Sequence, residues 1–519
     1  MPDKVFIFDS TLRDGAQARG ITFSLADKLH MLELLDGLGV HYIEAGNPAS
    51  NPKEKDFFDK AGEIELHNAR LVAFGSTCRK DLEPADDPGV QALLSANTPA
   101  VAIFGKSWDL HVTEVLRASL AQNLDMIRKT IAYFKGMGKE VVYDAEHFFD
   151  GYRANPEYAM QTLQAAQQGG ADVLCLCDTN GGAMPWEVYD ATGKCIDELD
   201  CMIGIHCHND AGLAVANSLY AVRAGARHVQ GTLLGFGERC GNTNLSTIIP
   251  DLQFKMGFET IGREKLKTLY TISMKAADIA NMKFDDKAPF IGRDAFSHKG
   301  GMHIDGVNKI SRSFEHIDPE LVGNRRGFLL SEVAGKTAVS TKLESRFPQL
   351  SRDSSATREL VEKLKQLEAD GYSFEGAESS FELIVMKHLG LHTPRFELMH
   401  FRVMDEPLSN GNGKSAYAVV KLNVNGEDTM AAAEGNGPVN ALDKALREAL
   451  VKFYPQLSEV SLTDYKVRVL DTRSATAAKV RVVIESTDGQ KEWATLGVSS
   501  DVIEASLLAL IDSIEYKLL

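Results

Sequence analysis

The chain has 519 residues, 44% of them hydrophobic and 25% charged, which is typical of a globular protein of about three domains. Its net charge of −16 argues against a nucleic-acid partner but allows an anionic substrate held by a cation. The seven cysteines lack the Cys-x-x-Cys spacing of a zinc site, and no run resembles a signal peptide or a membrane span. We therefore expect reduced thiols in a cytoplasmic protein with no membrane partner.

Short apolar runs alternate with amphipathic stretches up to about residue 260, which predicts parallel strands joined by helices. Eight such units in about 250 residues indicate a closed (β/α)8 TIM barrel over residues 1–265. A doubly wound open sheet is the alternative, but the first turn lacks the glycines of that fold. The predicted strands are Val5–Phe8, His41–Glu44, Leu71–Phe74, Val101–Phe104, Glu140–Asp144, Asp172–Leu176, Met202–Ile205 and His228–Thr232.

The sequence pattern changes after the predicted barrel and again at about residue 395. Residues 266–394 are predicted to form helical linker subdomains that cover the active site, with a Gly/His-rich segment at Phe296–Gly306 and a hinge at Leu350–Thr357. Residues 395–519 read as a separate α+β domain of two similar halves, each with strands followed by a helix. A turn is predicted at Leu408–Lys414.

Polar side chains follow every predicted barrel strand. In a (β/α)8 barrel the catalytic residues lie at the carboxyl ends of the strands, so polar residues at these positions predict an active site. These residues include Asp9 to Asp14, Glu44, Lys106, Asp144, Glu146, Thr179, His206, His208, Glu238 and Asn242.

His206 and His208 stand two positions apart at the end of the seventh strand and therefore share one face. With Asp14 they offer one oxygen and two nitrogens to a divalent cation, and Asn242 adds a carbonyl oxygen. This ligand set suits Mn²⁺, Mg²⁺, Co²⁺ or Zn²⁺ and does not choose among them. Two polar residues at a solvated strand edge are the alternative interpretation of the histidine pair.

Such a cation would polarise the carbonyl of a 2-oxo acid. Arg13 either stabilises the alkoxide that forms or makes a salt bridge across the barrel mouth. Glu146 or His303 is a candidate general base, and Thr179 is a candidate donor to a small carboxylate.

Three barrel motifs together resemble the family of 2-isopropylmalate, homocitrate and citramalate synthases. They are Ser10–Gly15, the His206/His208 pair and Gly235–Asn242. Ser297–Gly306 resembles the family's segment after the barrel, and Glu434–Ala441 resembles part of its C-terminal allosteric domain.

Ile103–His111 and Asp144–Gly151 resemble the citramalate branch of the family. The resemblance implies a Claisen-type condensation of acetyl-CoA with pyruvate, in isoleucine biosynthesis. Arg13, Glu146 and His303 would be catalytic, and Phe104 and Tyr143 would limit the size of the oxo acid. It also implies a homodimer and an amino-acid effector, isoleucine, on the C-terminal domain.

Three other functions remain open from the residues. They are a 2-isopropylmalate synthase that uses 2-oxoisovalerate, a metal-dependent acyl-CoA or aldol lyase on the same barrel, and a non-catalytic amino-acid sensor.

Overall fold

Eight parallel strands close into a barrel in which each strand pairs with the next along the chain, and β1 pairs with β8. The computed structural model describes residues 3–298, 301–328, 355–374, 377–407, 414–470 and 478–519. The strands are β1 Phe6–Asp9, β2 Tyr42–Glu44, β3 Arg70–Ser76, β4 Ala100–Lys106, β5 Glu140–Glu146, β6 Val173–Asp178, β7 Met202–Cys207 and β8 His228–Gly231. The predicted barrel is confirmed.

Helices surround the barrel, and their ends carry the expected capping residues. Ser24 and Asp27 form a reciprocal capping box at the start of α1, and Asn51 and Asn155 cap helices whose first residue is proline. The helices are α1 Leu25–Leu38, α2 Pro52–Ala61, α3 Pro88–Ser95, α4 Leu120–Gly136, α5 Phe148–Ala154, α6 Pro156–Gly169, α7 Pro185–Glu198, α8 Ala214–Ala224, α9 Leu245–Pro250, α10 Arg263–Leu266 and α11 Leu269–Ile279.

The two faces of each barrel strand pack into different cores. Val142 packs with other strand residues inside the barrel, whereas Val141, Tyr143 and Ala145 of the same strand pack in the core shared with the helices. The period of two along a strand explains this division. The lumen therefore receives Asp144 of β5, at the end where the polar residues collect.

The chain divides into two compact units, one of residues 1–297 and 315–327 and one of residues 298–314 and 328–519. The predicted division at residues 265 and 394 stays a prediction. The predicted hinge at 350–357 and turn at 408–414 lie largely outside the described residues. None of the helices in the described part of the chain is both long and apolar enough to cross a membrane.

The C-terminal part repeats one pattern, in which three antiparallel strands precede a helix. This agrees with the two similar halves expected from the sequence. Short β9 (Ser297–His298) and β10 (Gly327–Phe328) and helix α12 (Gly301–Lys309) come before it. The later elements are α13 Ser355–Ala369, α14 Glu378–His388, β11 Glu397–Pro407, β12 Lys414–Val424, β13 Glu427–Gly435, α15 Pro438–Val451, β14 Ser461–Val469, β15 Val480–Thr487, β16 Glu492–Ser499 and α16 Val502–Lys517.

Candidate metal centre and active site

The loop after β1 is held by a buried aspartate. The Asp9 carboxylate accepts hydrogen bonds from the Thr11 amide at 2.8 Å and the Thr11 hydroxyl at 3.0 Å. Thr11 Oγ1 in turn accepts from the Leu233 amide at 2.8 Å. Burial raises the pKa of Asp9 to about 7, against the opposing hydrogen bonds from Thr11. Asp9 therefore fixes the turn that presents Arg13 and Asp14.

Asp14, His206 and His208 meet at the carboxyl end of the barrel. Asp14 Oδ2 lies 3.3 Å from His206 Nε2 and 3.7 Å from His208 Nε2, and all three side chains are buried. Ligands about 2.1 Å from one cation stand roughly 3.0–3.4 Å apart for right-angle to tetrahedral geometry. Asp14 and His206 have this spacing, His208 lies 0.3 Å beyond it, and the three ligand atoms all lie within 4.8 Å of one another. Cys207 packs on the opposite face of β7.

The electrostatics of this group also suit a cation. Burial would raise the pKa of Asp14, but Arg13, His206 and His208 together hold it well below its ordinary value. Burial, followed by the nearby His206, lowers the pKa of His208 to about 3. At neutral pH Asp14 is therefore an ionised carboxylate and His208 a neutral imidazole, which are the protonation states that metal ligands require. Burial would lower the pKa of His206, but its hydrogen bond to Asp14 and the charge of Asp14 outweigh burial and raise it, so a cation would have to displace a proton from this imidazole.

Asn242 is the fourth predicted ligand and lies beside His208, because the two residues form an isolated antiparallel bridge. Its Nδ2 donates to the Phe236 carbonyl at 3.2 Å. Its Oδ1 is buried and lacks a hydrogen-bond partner among the described residues. Burying an acceptor without a hydrogen-bond partner costs about 1–3 kcal/mol of folding free energy, and a cation bound to this oxygen would offset that cost.

Arg13 is held by Glu44, which the sequence placed at the end of the second strand without assigning it a role. Arg13 Nε donates to Glu44 Oε2 at 2.7 Å, and the Arg13 guanidinium lies 3.4 Å from Asp14. The Ser10 hydroxyl also donates to Glu44 Oε2. Burial would lower the pKa of Arg13, but the two carboxylates more than offset it and raise it. Arg13 is thus a permanent cation in a set orientation.

The Arg13 guanidinium lies over an aromatic pair. Its centre is 3.9 Å from the Phe74 ring, and Phe74 stacks on Phe104 with centroids 5.1 Å apart. Both rings are half-buried at the ends of β3 and β4. The structure therefore brings the predicted size-limiting residue Phe104 next to the site through Phe74.

Gln230 of β8 links a histidine of the group to Asp144. Its Oε1 lies 3.0 Å from His206 Nδ1, and its Nε2 donates to Asp144 Oδ1 at 2.8 Å. Gln230 is fully buried. The sequence did not indicate a role for Gln230. Whether a residue of β8 faces the lumen or the helices depends on the register of the strand, which an apolar run does not reveal.

Glu146 and Thr179 lie at the ends of neighbouring strands. Glu146 forms an ion pair with Lys106, and the Thr179 hydroxyl accepts from the His147 amide at 2.9 Å. His147 has a left-handed backbone with φ of 57°. Their catalytic and substrate-binding roles stay predictions.

The structure places Tyr143 away from this group. Tyr143 is fully buried in the outer core, where its ring lies against Gly105, because its strand position faces the helices. His303 is exposed in the second compact unit, where it stacks on Phe314 with centroids 4.5 Å apart. Its role as a base stays a prediction.

The cysteines are free thiols, as expected, and five of the seven are buried. Cys175 and Cys177 point into the barrel, where their sulfurs and an Asp144 oxygen lie within 4.8 Å of one another. Burial raises the pKa of Cys177 to about 11, so this thiol stays protonated at neutral pH.

A closed parallel barrel with a carboxylate and two imidazoles at its mouth defines a metal-dependent barrel enzyme. Three family models match consecutive parts of the chain: HMGL-like over residues 4–273, the homocitrate synthase post-HMGL domain-like model over residues 290–371, and the LeuA allosteric (dimerisation) domain over residues 375–518.

Relatives align with the whole chain. The chain is 50% identical to (R)-citramalate synthase of Aquifex aeolicus, over all of this chain and 98% of the relative, and 32% identical to 2-isopropylmalate synthase of Methanocaldococcus jannaschii, over 99% and 95%. An HMG-CoA lyase structure from Brucella melitensis aligns with 54% of this chain and 99% of its own, at 19% identity and a TM-score of 0.46. The chain belongs to the (R)-citramalate synthase family.

Proposed function

We propose that this chain condenses acetyl-CoA with pyruvate to give (R)-citramalate and CoA. The observation that carries the proposal is the Asp14, His206 and His208 group, in a chain that aligns end to end with (R)-citramalate synthases at 42–50% identity. The 2-isopropylmalate synthases it resembles are more distant, at 30–32% identity. The reaction is an acyl transfer in which the acyl group becomes an alkyl group, in the route to isoleucine.

Asp14, His206 and His208, with Asn242, would hold a divalent cation, which as a Lewis acid polarises the keto group of pyruvate when bound. Mn²⁺, Mg²⁺, Co²⁺ and Zn²⁺ all suit one carboxylate, two imidazoles and an amide oxygen. The other contributions come from the side chains around this group.

A base removes a proton from the methyl group of acetyl-CoA, and we assign this role to His303, assisted by Glu146. The resulting enolate carbon forms a bond to C2 of pyruvate, and the electron pair of the keto group moves to its oxygen. Arg13 donates hydrogen bonds to that developing alkoxide, which then takes up a proton. Because Glu44 and Asp14 already orient Arg13, the donor is in place before charge develops.

Water then attacks the thioester carbonyl, the C–S bond breaks, and the CoA sulfur takes up a proton. This hydrolysis makes the sequence effectively irreversible, which suits a biosynthetic enzyme.

Pyruvate is the smallest of the candidate oxo acids. We propose that Phe104, stacked on Phe74, limits the space beside its methyl group, and that Thr179 donates a hydrogen bond to its carboxylate. A missing or extra methylene in such a pocket is worth only about 1–3 kcal/mol, so the discrimination is modest.

The C-terminal part matches an allosteric dimerisation domain, so we propose a homodimer that binds isoleucine there. Seven cysteines without a disulfide suit a reducing compartment, and we propose a cytoplasmic location.

Release of free CoA tests the proposal. The purified chain, loaded with Mn²⁺, is given acetyl-CoA with pyruvate, 2-oxoisovalerate or 2-oxoglutarate in parallel, and the product acids are identified by mass spectrometry. We expect the highest kcat/KM with pyruvate, and citramalate as the product. A preference for 2-oxoisovalerate would overturn the substrate assignment and keep the mechanism. If the chain cleaved citramalyl-CoA and did not catalyse the condensation, the proposed function would be wrong and the chain would be a lyase.

A further inference from the structure

A hydrogen-bonded chain runs from Asp144 through Gln230 to His206 inside the barrel. Gln230 is the middle member, and its two contacts of 2.8 and 3.0 Å join groups on β5 and β7, neither of which is its own strand. All three side chains are at most 6% exposed. In so buried a position an unpaired polar group is costly, so each donor and acceptor must match its partner.

The identity of each donor follows from Asp144. Its Oδ1 accepts a hydrogen bond from Gln230 Nε2 at 2.8 Å. The Gln230 amide must then turn its NH₂ toward Asp144 and its Oε1 toward His206. An oxygen acceptor at 3.0 Å from His206 Nδ1 requires that this nitrogen carry a proton.

In its neutral form, a His206 ring that carries its proton on Nδ1 has its lone pair on Nε2, which is then the nitrogen available to a cation. Nε2 is the atom that lies 3.3 Å from Asp14 Oδ2, on the side of the ligand group. His208 has no comparable support, because its Nδ1 is buried without a hydrogen-bond partner among the described residues. Of the two imidazoles, only His206 has its tautomer set by a side chain in the described structure.

We infer that Gln230 is a positioning residue, which holds His206 in the Nδ1–H form so that Nε2 faces the cation with its lone pair. The inference rests on the cation site of the proposed function. Partners of this kind are typically worth about 10–100-fold in metal affinity, because they fix the ring and raise its basicity.

Mn²⁺ binding to the full-length chain without substrates, measured by electron paramagnetic resonance, tests the inference. Gln230→Met keeps the size and removes the acceptor, so we expect its Kd for Mn²⁺ to rise about 10–100-fold. Gln230→Glu retains an oxygen that accepts from Nδ1–H, and we expect it to bind Mn²⁺ more tightly than Gln230→Met. Asn217→Leu is the matched control, since it removes a buried amide that donates to the Ala183 carbonyl at 2.8 Å outside the site.

A Gln230→Met chain with the Mn²⁺ affinity of the wild type would overturn the inference alone. A wild-type chain that binds no Mn²⁺ would overturn the cation site of the proposed function and this inference with it. A second measurement needs no variant of Gln230. The ¹⁵N NMR spectrum of the Mg²⁺-loaded wild type shows which ring nitrogen of His206 carries the proton, and the His206 signals are those that disappear in His206→Gln. A proton on Nδ1 of His206 is the expected result, and a proton on Nε2 would contradict the inference.

Discussion

Replacing Glu44 with glutamine removes the anion that holds Arg13. Glu44 is fully buried, and the Arg13 side chain is 14% exposed, so the pair is largely desolvated. Breaking a buried ion pair by removing one partner costs about 3–5 kcal/mol, because the other charge is left in a poorly solvating environment.

Two features of the structure reduce this cost in Glu44→Gln. Asp14 remains 3.4 Å from the Arg13 guanidinium, and the glutamine oxygen can still accept from Arg13 Nε. We therefore expect a loss near the low end of that range, about 3 kcal/mol. Arg13 also loses its orienting anchor, and we expect kcat to fall by about 10²–10³, the usual effect of losing one donor to a developing oxyanion.

Urea unfolding followed by far-UV circular dichroism measures the first quantity, and CoA release measures the second. Glu264→Gln is the matched control, since it makes the same change in an exposed pair with Lys267, whose members are 83% and 50% exposed. Exposed pairs contribute about 0–1 kcal/mol, so the control should barely change. If Glu44→Gln is no less stable than Glu264→Gln, and its kcat is that of the wild type, the role given to Glu44 is refuted.

Three further predictions concern single residues. His208→Ala should lose Mn²⁺ binding and CoA release together, and chelation of the wild type should do the same; turnover that survives chelation would contradict a metal-dependent reaction. Burial lowers the pKa of His228 to about 3, so the unfolded chain binds a proton below pH 6.5 that the folded chain does not, and stability falls as the pH drops from 6.5 toward 3. The free energy of unfolding changes by about 1.4 kcal/mol per pH unit in this range, so His228→Leu should reduce its loss between pH 7 and pH 5 by about 2 kcal/mol. Denaturant titrations at the two pH values measure this loss, and a loss equal to that of the wild type would contradict the prediction. Phe104→Ala should raise the kcat/KM for 2-oxoisovalerate relative to pyruvate by about 10–200-fold, whereas an unaltered ratio would show that Phe104 does not limit the pocket.

The barrel and three members of the ligand group were predictable because both depend on short-range patterns. Strand and helix periods mark each βα unit, and residues two apart on a strand share a face, which placed His206 and His208 together. The family motif around Asp14 then supplied the third ligand. Parallel strands bring their carboxyl ends to one rim, so residues nearly two hundred positions apart could be assigned to one site without coordinates.

The failure of Tyr143 to reach the site has a physical reason. It was placed in the pocket because it lies near the end of the fifth strand, but the face that a residue occupies depends on the register of that strand in the closed barrel. A shift of one position moves a side chain from the lumen to the outer core. Asp144, its neighbour, faces the lumen for the same reason.

By itself, the order of residues determined the repeating βα units, the cation-binding residue types and their place at the strand ends, since each follows from local periodicity or a contiguous motif. Only the tertiary structure decided that Glu44 anchors Arg13 and that Gln230 joins His206 to Asp144. Those pairings cross between strands that are distant along the chain. They depend on how closure of the barrel turns each side chain, and no local pattern carries that information.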